Sequence, residues 1–266
     1  MTSRPQPFRS PPPREVPLAR PPLVRAIAQL RFAPIAALGQ LDFIAPFQES
    51  IRRRYPILRQ ERTADLLLDP GGLLAQSGST VWRFHDKDDI WRVSLAPNFV
   101  AVEVAQYTSR TDFFARFHEI LNALVKVTDG GPAGYDRFGV RYVNRVLKPE
   151  LDQLPQLLQP EVLGLVGASF GDELGFSVCE SSFTVADAHL STRWGLLPAR
   201  ATTDPTTIEP LDQASWILDF DMYEGTKPDL DASALVERGQ RFAEVIYAFF
   251  RWCVTDEFLR TYGGQP

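Results

Sequence analysis

The chain has 266 residues, 44% of them hydrophobic and 23% charged, with a formal net charge of −5. That length allows one large domain or two small ones, and this composition is ample for a packed core. The acidic balance disfavours nucleic acid as a partner, and no apolar run approaches the roughly 20 residues of a membrane span.

Residues 1–22 contain eight prolines interleaved with Arg4, Arg9, Arg14 and Arg20. Proline lacks a backbone donor and favours extended chain, so this tail is expected to be disordered. It reads as a solvated leader, with a docking peptide for a proline-binding partner as the alternative; it has no apolar segment of the signal-peptide kind. Order is expected from Leu23–Phe32, a strand with Val24, Ala26, Ala28 and Leu30 on one face and Arg25, Gln29 and Arg31 on the other. A helix over Leu41–Arg54 stops before Tyr55-Pro56. After a linker come strands near Leu66–Ala75, Ser79–Asp86, Ile90–Ala96 and Phe99–Tyr107, with turns at Asp86–Asp89 and Pro97-Asn98. Thr111–Val127 is an amphipathic helix that Asp129-Gly130-Gly131-Pro132 ends.

The pattern then starts again. Arg137–Leu147 reads as a strand and Leu151–Val166 as a helix with an irregularity at Pro155. Phe176–Val185 and His189–Pro198 form a hairpin, a polar loop covers Arg200–Gln213, and Ser215–Tyr223 is a strand. Asp231–Val254 is a long closing helix, followed by Asp256–Tyr262. Arg116–Ala123 resembles Arg241–Ala248, and Val24-Arg25 matches Val140-Arg141. The expected fold is therefore α+β: a disordered tail at 1–22 and two tandem β-α-meander-α halves, 23–130 and 131–266. These would form one curved antiparallel sheet with helices on one face. The order of elements resembles a tandem TATA-binding-protein-like fold, and that resemblance implies that the first strands of both halves lie at the centre. A helix-grip arrangement is the alternative.

Cys179 and Cys253 are far apart and His85, His118 and His189 are scattered, which argues against a disulfide framework or a zinc site. No nucleophile elbow or phosphate loop is present, so no catalytic residue, metal or cofactor is expected. The tryptophans fall mostly in strand and helix patterns and read as core. The candidate site comes from alternation: Arg25, Arg31, Glu103, Arg141, Arg145, Asp219, Asp221 and Tyr223 all point away from the core faces of their strands. Asp219 and Asp221 share a face and offer oxygens to a divalent cation, with Glu103 as a further donor; the competing reading pairs them with Arg141 and Arg145 across strands. The two arginines also suit an anionic ligand.

Arg141-Tyr142-Val143-Asn144-Arg145, Leu218-Asp219-Phe220-Asp221, Arg83-Phe84 before an acidic turn and Thr255-Asp256-Glu257 carry a family likeness. The chain resembles a sporadically distributed prokaryotic family of uncharacterised proteins of similar length. That resemblance implies no activity or cofactor, and sporadic occurrence implies a mobile or defence-linked accessory role. The functional expectation is a cytoplasmic binding or regulatory module whose open sheet face takes a protein or a small anionic ligand. The alternative is a metal-dependent enzyme of phosphoryl or nucleotide chemistry centred on Asp219 and Asp221.

Overall fold

The computed structural model describes residues 6–68, 74–168, 170 and 173–266, and is a mixed α+β structure. Its strands are β1 (Leu23–Arg31), β2 (Ile57–Leu68), β3 (Leu74–His85), β4 (Trp91–Ala96), β5 (Phe99–Val104), β6 (Arg137–Val146), β7 (Ser177–Val185), β8 (Ala188–Leu197) and β9 (Ser215–Glu224). They form one nine-stranded sheet in the order β2-β3-β4-β5-β1-β6-β9-β8-β7. The helices are α1 (Leu41–Ile51), α2 (Arg110–Val127), α3 (Leu154–Leu157), α4 (Pro160–Leu163), α5 (Ala232–Cys253) and α6 (Asp256–Thr261). No helix among the described residues is long and apolar enough to cross a membrane.

Two compact units divide the chain. One holds residues 27–139 and 224–239. Its core is built by alternation: Trp91, Val93 and Leu95 of β4 pair with Val104, Val102 and Val100 of β5, and all six are buried. Phe47 of α1 meets Phe84 of β3 at 5.4 Å between ring centroids, and Phe113 of α2 meets Trp91 at 6.0 Å. Ser109 caps α2 by accepting from the Asp112 backbone N–H at 3.1 Å. Gly239 is needed inside α5, because a Cβ there would stand 2.4 Å from the Phe114 ring.

This unit also corrects one expectation. Residues 57–65 are strand, not linker, paired with β3 from Ile57–His85 outward; the expected strand Leu66–Ala75 crosses residues 69–73, which lie outside the described residues. Arg59, Gln60, Glu61 and Arg62 hide the strand from a hydrophobic pattern because β2 is a sheet edge, where charged residues discourage further pairing.

The other unit holds residues up to 26, with 140–223 and 240–266. Phe249 of α5 is its hub, with ring contacts to Phe220 (5.0 Å), Phe183 (5.3 Å), Trp252 (5.5 Å) and Trp194 (6.2 Å). A second cluster, Val143, Leu197, Ile208 and Ile217, lies beneath the loop 198–214. Gly195 (φ +153°) lets β8 pass β7, since a Cβ would fall 1.9 Å from the Ser177 carbonyl oxygen.

The expected helix Leu151–Val166 is instead a series of single turns. Pro155 and Pro160 each open a new one, Gln159 is extended before Pro160, and Gly164 sits at φ +52°. Residues 6–22 carry no helix or strand. The segment nevertheless touches the C-terminal helices: the Arg20 N–H donates to the Tyr262 carbonyl at 3.1 Å, and Phe8 stacks on Phe249 at 5.9 Å.

Candidate functional site

Two charged ladders run across the sheet strands, one in each unit. In the unit of β2–β5, Glu103 is 6% exposed and stands opposite Arg92. Arg92 grips it with both ends of the fork, Nε to Oε1 at 3.2 Å and Nη2 to Oε2 at 2.5 Å. Burial works against the Arg92 charge, but Glu103 outweighs it and raises the pKa. Arg83 on β3 donates from Nε to Glu61 Oε2 at 3.0 Å and from Nη1 to Ser94, and its Nη1 lies 3.9 Å from Glu103 Oε1. At the β3–β4 turn His85 Nδ1 lies 2.5 Å from Asp89 Oδ1, a contact that holds the Asp89 carboxyl below its usual pKa. His85 Nε2 is shielded and has no hydrogen-bond partner.

In the other unit Arg141 of β6 is the centre. Its Nε and Nη2 donate to the two oxygens of Asp219, each at 2.7 Å, and its Nη1 donates to Asp204 Oδ2 at 2.7 Å and Thr207 at 3.3 Å. Burial opposes the Arg141 charge, yet Asp219 and Asp204 raise its pKa. Burial likewise opposes the Asp204 charge, but hydrogen bonds from Thr206 and Arg141 lower the carboxyl to about 2. Asp219 is 5% exposed; it lies opposite Arg193, whose Nη1 is 4.0 Å from Oδ2 and whose Nε donates to Glu180 at 2.5 Å.

The patch was expected to be open. Around Arg141 it is closed, because Ile208 of the 198–214 loop packs on Val143 and Ile217 while Asp204 and Thr207 of the same loop reach Arg141. Arg145 departs from its expected pairing. It is buried and donates from Nε to Ser215 Oγ at 3.0 Å and from Nη1 to the Glu209 carbonyl, with Nη2 lacking a partner; burial lowers its pKa, against the Glu209 charge. Asp221 lies two residues beyond Asp219, opposite Ser191, and Tyr223 lies opposite His189 with the rings 5.6 Å apart. Arg25 is half-buried with Nε unpartnered, and Arg31 is exposed, its carbonyl accepting from the Asp136 N–H.

Sequence reasoning missed Arg83, Arg92 and Arg193, although alternation in Trp82-Arg83-Phe84 and Trp91-Arg92-Val93 aims each arginine away from the buried aromatic face. It also missed Glu224, which is buried and held by Tyr135 Oη at 2.8 Å and Arg238 Nε at 3.0 Å. Asp204 carried no periodic signal, since it sits in a loop. A cation at Asp219 would have to displace a guanidinium that already holds both carboxylate oxygens. Comparison with protein-family models and with curated proteins finds no match, so the family expected from Arg141–Arg145 and Leu218–Asp221 is not shown for this chain.

Proposed function

We propose that the chain is a binding or regulatory module that takes an anionic group onto arginines of its sheet. One repeated arrangement carries the reading. Arg83 donates from Nε to Glu61 on edge strand β2, with Nη1 3.9 Å from buried Glu103. Arg193 donates from Nε to Glu180 on edge strand β7, with Nη1 4.0 Å from buried Asp219. The inner acids are 8% and 5% exposed at the side chain, the outer ones 50% and 64%.

Each guanidinium therefore hydrogen-bonds an acid at the surface and lies 3.9–4.0 Å from a buried one. An exposed ion pair contributes only about 0–1 kcal/mol, so a ligand or partner anion exchanges with Glu61 or Glu180 at little cost. Carboxylate and phosphate both match the arginine fork. The recurrence also supports tandem β-α-meander-α repeats with helices on one face. So does the strand order, which runs outward from β1 as β5-β4-β3-β2 and from β6 as β9-β8-β7.

The test follows the arginine Nε–Hε resonances by NMR while inorganic phosphate, and separately succinate, is titrated in. Arg83 and Arg193 are expected to shift, with Arg141 and Arg145 unmoved. Shifts at Arg141 alone, or at none of the four, would remove the reading.

A further inference from the structure

We infer that the outer face of α5 is a receptor groove for a proline-rich segment of a partner protein, occupied in cis by residues 6–19. The inference does not rest on the arginine reading. Helix α5 is aromatic on two sides. Phe242, Ile246 and Cys253 point into the core, whereas Tyr247, Ala248, Arg251 and Trp252 form a second stripe at helical spacing, with Tyr247, Arg251 and Trp252 half-buried; Phe249 lies between the two, touching Phe220 on one side and Trp252 and Phe8 on the other. Their cover is the N-terminal segment.

Tyr247 Oη is the clamp. It accepts from the Val16 N–H at 2.8 Å and donates to the Arg14 carbonyl at 3.2 Å. Phe8 stacks parallel on Phe249, at an interplanar angle of 1°, and tilts against Phe183 at 5.3 Å. Val16, Leu18 and Ala19 close over Gly263 and Gly264, where a Cβ would come within 2.8 Å of them. Aromatic walls with a hydroxyl aimed at the backbone are how extended proline-rich chains are held, and prolines lose little entropy on docking.

The groove is larger than its occupant. A cavity of about 410 Å³ remains between Pro7, Pro11 and Pro13 on one side and Trp252, Arg251 and Gln159 on the other. Segments bulkier than the cis strap gain contacts there that the strap does not make. The partner chemistry that follows from the strap's own sequence, with Arg9 and Arg14 among its prolines, is a basic proline-rich segment with an aromatic residue at the Phe8 place.

The experiment uses the full chain and a fluorescein-labelled peptide of residues 6–20, read by anisotropy. Phe8→Ala loosens the strap and is expected to strengthen peptide binding about tenfold, the factor of one aromatic pair. Leu18→Ala, which removes a strap contact at Gly264 and leaves the groove itself unchanged, is expected to do the same. Adding Tyr247→Phe to either should reverse the gain, again by about tenfold for its two hydrogen bonds. Equal weak binding to all variants would overturn the inference. So would a dimer formed by both strap variants that excludes the peptide, which would make the groove a strap-exchange site between copies.

Discussion

Replacing Arg141 with leucine tests whether its cluster holds the fold together. The guanidinium is 19% exposed at the side chain and neutralises Asp219, at 5%, and Asp204, at 24%. Its loss leaves Asp219 as a buried carboxylate whose nearest cation is Arg193, 4.0 Å away. A buried pair broken from one side costs about 3–5 kcal/mol, whereas an exposed pair costs about 0–1. The exposures put this site near the first figure. In a chain of this size that corresponds to a fall in melting temperature on the order of 10 °C. Urea titration followed by tryptophan fluorescence suits the site, because Trp194 and Trp216 lie on the strands that flank it. Arg141→Leu with Asp219→Leu is expected to recover most of the loss, since no charge is then left buried without a partner. A single-variant cost below about 1 kcal/mol would refute the reasoning, as would a double variant no better than the single.

Asp204 gives a pH test. Its folded pKa of about 2 lies below the ordinary 3.8, so its contribution is complete above pH 3.8 and disappears as pH falls through about 2. The wild type is expected to lose up to roughly 2 kcal/mol over that window, and Asp204→Asn to lack that slope in acid titrations of stability. Gly239→Ala should destabilise even though alanine favours helix by about 1 kcal/mol, because Phe114 is wholly buried and has no room to yield; calorimetry reads the sign. Gly195→Ala is expected to lose soluble protein on expression, as its Cβ meets backbone rather than a movable side chain. Glu61→Gln and Glu180→Gln should leave urea midpoints nearly unchanged while strengthening phosphate binding at Arg83 and Arg193, read by the same NMR titration.

Alternation made the strand faces legible. Val100, Val102 and Val104 are buried where Glu103 turns the other way, and Phe138 and Val140 are buried beside half-buried Arg141. The mixed α+β class, the end of α2 and the end of α5 were also readable, because each depends on residues close in sequence. What was not readable depends on distant partners. β2 looks like a linker until its ladder with β3 supplies the order. Arg145 has the same parity as Arg141, yet it answers to Ser215 and the Glu209 carbonyl rather than to a carboxylate. Parity assigns a side chain to a face but says nothing about which loop folds over that face. The 198–214 loop decided the matter through one apolar residue, Ile208, and one acid, Asp204.

That loop also separates two kinds of arginine that the sequence presents as equivalent. Arg141 has acidic partners on both sides and both are built into the unit, so its charge is spent on holding the loop to the sheet. Arg83 and Arg193 each keep one partner on an edge strand, more than half open to water or close to it. An exposed ion pair contributes only about 0–1 kcal/mol, so on the proposed reading the outer glutamates are the replaceable partners. On the proposed reading the edge strands are where an anion has access, and in both units the glutamate standing there is the group it would exchange with.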